Sequence, residues 1–244
     1  MAEMRQLHIY DCALMDKLPA RLILARMLVV GGFAIALVIA THAQAEPETC
    51  PGLCDRIPNT AWIDQHALPL DAVYHWPALA GQAVQTTGSA PGPRFRFEEL
   101  CAAPPTPQDP RESAVAARST VQHPDGQWQL QAQVLHWRGD TARGGATAAT
   151  VFGNAVAALR ACQQRAPLES PSLTSDEANR MAAVISGPVV VHTYLFAQPA
   201  SSTISEVTLW SAAPPETSWP ATADDPVLSA MSAPLCEAYI ASCP

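Results

Sequence analysis

The sequence predicts an α+β fold: an antiparallel sheet of about five or six strands with two main helices on one face, linked by disulfides. Three observations predict it. Residues 127–134 alternate apolar and polar side chains, which is the period of a strand. Residues 147–162 then repeat apolar side chains at helical spacing. Finally, an even number of cysteines follows an N-terminal export segment.

The first 45 residues are typical of a secretory signal peptide. Basic residues precede an apolar run at 27–40, and Ala43 and Ala45 supply the small residues of a cleavage site. The run is shorter than the ~20 apolar residues of a spanning helix. An uncleaved anchor through residues 22–40 is the alternative. We therefore expect an exported protein, either secreted or held in the cell envelope.

The cysteines beyond the export segment predict three disulfides, because the exported compartment is oxidising. These cysteines are Cys50, Cys54, Cys101, Cys162, Cys236 and Cys243. Zinc is the weaker alternative, since closely spaced cysteines occur only once, at Cys50 and Cys54. The pairing stays open. A helical path from Cys236 to Cys243 would hold their Cα atoms about 10 Å apart, which is too far for a bond between them.

Residues 46–93 form a proline-rich N-terminal segment that we expect to be irregular. Short helical turns are possible at 71–76 and 78–84. The aromatic side chains of this segment lack a clear period, which favours anchoring on the core over a binding platform.

Residues 94–244 form the predicted α+β domain. Its first half comprises a strand at 94–98, a loop at 102–110, and a β-hairpin of strands 113–122 and 127–134 around a turn at 123–126. In the second hairpin strand, Trp128 and Leu130 share one face with other apolar residues, and four glutamines share the opposite face. This pattern predicts a sheet with one apolar and one polar face.

An amphipathic helix follows, after a glycine-rich break at 139–145. Its apolar stripe is Val151, Phe152, Ala155, Val156, Leu159 and Cys162. The remaining predicted elements are a polar loop at 167–179, strands at 180–186, 189–197 and 203–210, and a final helix from Asp224 or Asp225 that Pro234 would kink or divide. Apolar residues on both faces of 189–197 predict a central strand.

Charge excludes nucleic acid as an expected partner, since the net charge is −8 and basic runs are missing. Beyond Arg180 the chain has acidic but no basic residues, which predicts an anionic C-terminal surface. The acidic residues are Glu206, Glu216, Asp224, Asp225 and Glu237.

The sequence contains no glycine-rich phosphate loop and no nucleophile elbow. No two histidines stand at the four-residue spacing of zinc hydrolases. We therefore expect no metal, no cofactor and no catalytic site. A hydrolase with an unrecognised site would need one of His66, His75, His136 or His192 beside a serine or a carboxylate in a cleft.

The order of strand, loop and helix ending in Leu159-Arg160-Ala161-Cys162, followed by further strands and a cysteine-bearing C-terminal segment, resembles the PknH-like extracellular sensor domain. That family comprises exported or membrane-tethered domains of high-GC Gram-positive bacteria. The similarity covers residues 94–243, and residues 128–136 and the helix match it best. It implies an antiparallel sheet with helices and disulfides, and ligand sensing outside the membrane. No kinase domain is attached here, and the cysteines need not pair as the family's do.

These observations together predict an exported, non-enzymatic ligand-binding or sensor-type protein of the cell envelope, whose ligand the sequence does not name. Two alternatives stay open. One is a secreted hydrolase with an unrecognised site. The other is a structural or interaction protein anchored through residues 22–40.

Overall fold

Antiparallel strands form a single sheet with helices on both faces. The computed structural model describes residues 56–239. The strands are β1 (Val84–Thr87), β2 (Val115–Val121), β3 (Gln129–His136), β4 (Ser170–Asp176), β5 (Arg180–Ser186), β6 (Val189–Gln198) and β7 (Thr203–Ala212). The helices are α1 (Asp71–Tyr74), α2 (Arg96–Leu100), α3 (Thr141–Arg160), α4 (Cys162–Arg165) and α5 (Asp224–Ala238). The α+β class is confirmed.

The strands lie in the order β1-β2-β3-β7-β6-β5-β4, so two runs of hairpins meet at β3 and β7. The predicted hairpin of β2 and β3 places Val121 opposite Leu130. On its other side, Leu130 lies opposite Leu209 of β7. The strands predicted at 180–186, 189–197 and 203–210 are confirmed, and β6 is an interior strand. Helix α3 carries the chain from β3 in the middle of the sheet to β4 at its edge.

The predicted strand count of five or six is wrong, because residues 56–239 contain seven strands. The two edge strands had no predicted counterpart: β1 lies in the segment expected to be irregular, and β4 lies in the predicted loop at 167–179. All four residues of β1 are exposed, and β4 has no fully buried residue. Edge strands with little apolar burial lack the alternation that reveals a strand, and an edge tolerates Pro171.

The strand predicted at 94–98 is also wrong, because the chain turns into helix α2 at Arg96. The Glu98 carboxylate accepts a hydrogen bond from the backbone N–H of Phe95 at 2.9 Å, which closes the first turn. Phe95 and Phe97 are both fully buried and stack with their ring centroids 5.9 Å apart. The alternation that predicted a strand therefore reflects two phenylalanines that enter the core together.

The placement of both main helices on one face is wrong as well. Helix α5 packs against Leu130 and Val134, on what we call the α5 face. Helix α3 packs against Leu135 and Leu195, on the opposite α3 face. Strands β5 and β6 carry buried apolar residues on both faces, so a single layer of helices would leave one of them exposed to water.

Helix α3 buries its predicted apolar stripe. It begins at Thr141, earlier than predicted, because the Asp140 side chain accepts hydrogen bonds from the N–H groups of Ala142 and Arg143. Gly144 and Gly145 belong to the helix and not to a break. Cβ atoms at these two positions would collide with Ser202 and with the backbone of Pro199, so the glycines permit close packing.

A disulfide joins Cys101, at the end of α2, to Cys162, at the start of α4, with the Cα atoms 4.6 Å apart. Cys236 is disulfide-bonded too. Cys50, Cys54 and Cys243 lie outside the described residues, as does the predicted signal peptide at 1–45. The prediction of three disulfides stays a prediction. None of the helices within residues 56–239 is long and apolar enough to cross a membrane.

Candidate functional site

The glutamine face of β3 forms the floor of the candidate site. As predicted, Gln129, Gln131 and Gln133 share one face of the strand, which is the α3 face. The expectation that the sheet is polar and solvated on that side is wrong, since Gln131 is 6% and Gln133 1% exposed. These two glutamine side chains are therefore covered by another segment of the chain.

The cover is a strap, which we define as residues 94–97 leading into α2. The Arg118 guanidinium, on β2, donates to the backbone oxygen of Arg94 at 2.7 Å and to Gln133 Oε1 at 2.8 Å. The backbone N–H of Arg96 donates to Glu206 Oε1 at 2.7 Å, and the Arg96 guanidinium lies over the Trp210 ring at 4.8 Å. The strap is thus held to the sheet by polar contacts of its backbone and of Arg96, and Phe95 and Phe97 anchor it in the apolar core.

Beneath the strap lies a polar corner of the sheet. It consists of Arg118, Gln131, Gln133, Thr193, Glu206 and Thr208. The hydroxyl groups of Thr193 and Thr208 are bonded at 2.8 Å, and Thr208 donates to Glu206 Oε1 at 3.2 Å. With the exception of half-buried Arg118, all of these side chains are buried. Such a concentration of buried polar groups in one place is uncommon in a sheet interior.

Glu206 is the most unusual member of the polar corner, since it is fully buried. Burial raises its pKa to about 8, against the opposing effects of the Arg96 N–H and the Arg118 charge. At neutral pH the group is therefore mainly a carboxylic acid. Its Oε2 atom and the nearby amide nitrogen of Gln131 are both buried without a hydrogen-bond partner among the described residues.

Two grooves open on the α3 face, one on each side of the strap. The edge groove, next to β1, has a volume of about 420 Å³ and is lined by Gln82, Val84, Thr86, Ser89, Pro93, Ala116, Arg118, Thr120 and Gln133. The turn groove, at the β2–β3 turn, has a volume of about 610 Å³ and is lined by Arg96, Gln122, His123, Asp125, Gly126, Gln127, Gln129, Val189, Trp210, Ser211 and Ala212. Both volumes fall in the range of ~300–1,000 Å³ that is usual for small-molecule sites.

A third groove, of about 290 Å³, lies between the loop at 103–110 and α3. Its base is an ion-pair network in which the buried Arg111 guanidinium contacts Glu98 and Asp109, each at 2.6 Å. The Arg111 guanidinium also packs on the Phe95 ring at 5.1 Å. Removing one partner would leave a buried charge uncompensated, so the network fastens the loop and α2 to the domain.

The histidines named as possible catalytic residues do not meet a serine in any of these three grooves. His66 contacts Asp71 at 2.9 Å on an exposed surface, and His75 is exposed. His136 is buried, stacks on Tyr239 with the ring centroids 4.2 Å apart, and contacts the backbone oxygen of Ser201.

His192 stacks on Trp219 with the ring centroids 3.6 Å apart. Burial lowers the pKa of His192, like that of His136, to about 4, so both are neutral at pH 7 and act as packing groups. Within residues 56–239, no group of three or more His, Cys, Asp or Glu side chains is placed to hold a metal ion.

Sequence reasoning missed both the strap and Glu206. Glu206 counted among the acidic residues of an anionic surface, and that assignment is wrong because its side chain is buried. A signal was present: a lone acidic residue interrupts the apolar pattern between Ile204 and Val207 of a confirmed strand. The strap gave no such signal, because its contacts join residues that are distant in the chain, such as Arg96 and Glu206, which are 110 positions apart.

Comparison with known proteins adds no identification. A scan against protein-family models found no matching family, and a search of curated proteins found no match.

Proposed function

We propose that this chain is an exported, non-enzymatic ligand-binding or sensor-type domain of the cell envelope, and that its ligand binds on the strap side of the sheet. The signal-like N-terminus and the disulfide between Cys101 and Cys162 support export. The resemblance to the PknH-like sensor domain supports a sensing role.

One observation carries the proposed site. The strap covers buried polar atoms that lack partners, Glu206 Oε2 and Gln131 Nε2, and a polar groove opens on each side of it. Neither of these residues lines a groove, so the ligand is proposed to contact the groove side chains, and the unpaired atoms mark this corner as a part of the sheet that packing alone does not satisfy. Elsewhere the sheet meets its helices through apolar cores.

Binding is favoured over hydrolysis because the one strongly perturbed carboxyl group of the site is fully buried. Glu206 has no exposed surface beneath the strap, so it cannot reach a bond of a ligand in either groove. His66, His75, His136 and His192 do not line either groove, so none of these four supplies the base that a serine nucleophile there would need.

The binding proposal is tested by amide NMR on the purified exported protein. The probes are three neutral trisaccharides (maltotriose, cellotriose and triacetylchitotriose, called chitotriose below), two carboxylates (succinate and citrate), and the tripeptide trialanine. We expect at least one class to shift resonances of the strap, β2 and β3 in a saturable way. Shifts confined to other parts of the domain, or no saturable shift with any probe, would overturn the proposed site.

Export is tested separately by N-terminal sequencing of the protein recovered from the medium. A start at Glu46 would support the cleaved signal peptide and exclude the anchored alternative. Recovery only in the membrane fraction, with residues 22–40 retained, would contradict cleavage.

A further inference from the structure

The turn groove presents side chains that are not used by the fold. Gln122, Asp125 and Gln127 make no side-chain hydrogen bond to any described residue, and neither does the indole N–H of Trp210. Gln129 is different. Its amide accepts from the N–H of His123 at 2.7 Å and donates to the backbone oxygen of the same residue at 2.8 Å, so it holds the turn in place. The free groups are therefore the ones available to a ligand.

The charges in the turn groove nearly cancel. Arg96 contributes one positive charge and Asp125 one negative charge, and Arg96 is also paired with Glu99 at 2.9 Å. A strongly anionic ligand would meet little net attraction there, on a chain whose formal net charge is −8. The lining therefore favours a neutral ligand.

The hydrogen-bonding chemistry of the free groups narrows the chemical class of the ligand further. A glutamine amide offers donors and an acceptor side by side, a carboxylate accepts, and an indole N–H donates. Adjacent hydroxyl groups on a sugar ring both donate and accept, so they can satisfy all of these groups.

A peptide fits this groove less well. Peptides that add to a sheet need an edge strand with unpaired backbone groups. The turn groove lies across the ends of β3, β6 and β7, which are interior strands, and the edges of the sheet are β1 and β4.

We propose that the turn groove binds a neutral sugar residue of an oligosaccharide. This proposal rests on the binding function proposed above. Gln122, Asp125 and Gln127 hydrogen-bond its hydroxyl groups, and the Trp210 indole N–H donates to one of them. The groove is open, so neighbouring sugars of a longer chain can extend from it.

The test uses the purified exported protein and isothermal titration with maltotriose, cellotriose and chitotriose. We expect saturable binding of at least one trisaccharide. The double variant Gln122→Ala/Asp125→Ala should weaken this binding about tenfold, which corresponds to the loss of one to two hydrogen bonds. The variant Trp210→Phe, which keeps a ring but removes the N–H, should weaken it by a smaller factor.

Gln164→Ala, which changes an exposed glutamine of α4 outside the three grooves, is the matched control and should leave affinity within about twofold. Circular dichroism and thermal unfolding of each variant separate loss of binding from loss of folding.

Two results overturn the proposal. One is that no trisaccharide binds at millimolar concentration. The other is that a trisaccharide binds but the double variant Gln122→Ala/Asp125→Ala weakens its binding no more than Gln164→Ala does. If succinate, citrate or trialanine binds on the strap side when the trisaccharides do not, the sugar assignment fails and the binding function stands. If none of the probes binds, the sugar assignment and the proposed binding function both fail.

Discussion

The two faces of the sheet are closed in different ways. On the α5 face, apolar and aromatic side chains such as Trp128, Leu130 and Tyr194 form one core with α5 and with the segment before β1. On the α3 face, helix α3 covers only part of the sheet with apolar contacts, and the strap covers a polar corner. An apolar layer is satisfied by packing alone, whereas a polar layer requires every group to find a partner. The α5 face also leaves a buried hydroxyl, that of Tyr239, without a partner among the described residues. The α3 face differs because two such atoms lie together in one polar corner between two grooves, and that corner is the proposed functional region.

The two faces of the sheet also differ in the ionisable side chains that they cover. The α5 face buries His136 and His192, whose lowered pKa values of about 4 oppose folding as the pH falls below 6.5. The α3 face buries Glu206, whose raised pKa opposes folding as the pH increases. The two faces are thus expected to respond to pH in opposite directions.

The largest expected effect concerns Glu206. Its pKa rises from 4.5 to about 8 on folding, so the unfolded chain ionises first and the free energy of unfolding falls between pH 4.5 and pH 8. Because each tenfold change in proton affinity is worth about 1.4 kcal/mol, Glu206→Gln should gain about 5 kcal/mol relative to the wild type across this range. Urea denaturation of both proteins at a series of pH values measures the difference.

The histidines are present in both proteins, so their opposite contribution cancels in that difference. A difference that does not change with pH would mean that Glu206 is ionised in the folded protein. The account of the polar corner would then be wrong.

The next effect concerns the disulfide, which ties α2, and with it the strap, to α4. It links residues 61 positions apart, and a loop of that size predicts a loss of about 4 kcal/mol in the double variant Cys101→Ala/Cys162→Ala. Urea denaturation under oxidising conditions checks the value. A loss below about 1 kcal/mol would mean that packing and the Arg111 network hold α2 without the bond.

The smallest effect compares two neighbouring residues of β3 that point to opposite faces. Leu130→Ala removes a fully buried side chain from the α5 face and should cost about 3 kcal/mol. Gln131→Leu replaces a buried amide whose nitrogen lacks a partner, so it should change the free energy of unfolding by less than about 1 kcal/mol. Thermal or urea unfolding of both variants measures these two changes in the free energy of unfolding. Equal losses would show that the polar corner contributes to stability as the apolar core does.

The predictable part of this fold rests on local periodicity. The alternation at 127–134 and the stripe ending at Cys162 correspond to β3 and α3, and the interior strands β5, β6 and β7 followed from their apolar character. The edge strands could not be predicted in this way, because a strand that buries few apolar side chains has no apolar period in its sequence. The glutamines of β3 were visible as a polar face, but not as the floor of a covered site.

The sequence by itself determined which segments are strands or helices wherever one face of the segment is apolar. It also determined that Gln129, Gln131 and Gln133 lie together on one face of β3. Only the tertiary structure decided that helices cover both faces, that β3 pairs with β7, and that Glu206 is buried beneath residues 94–97. The physical reason is distance along the chain. Periodicity arises between residues a few positions apart, whereas the strap and the polar corner depend on contacts between segments that meet only after the sheet has formed.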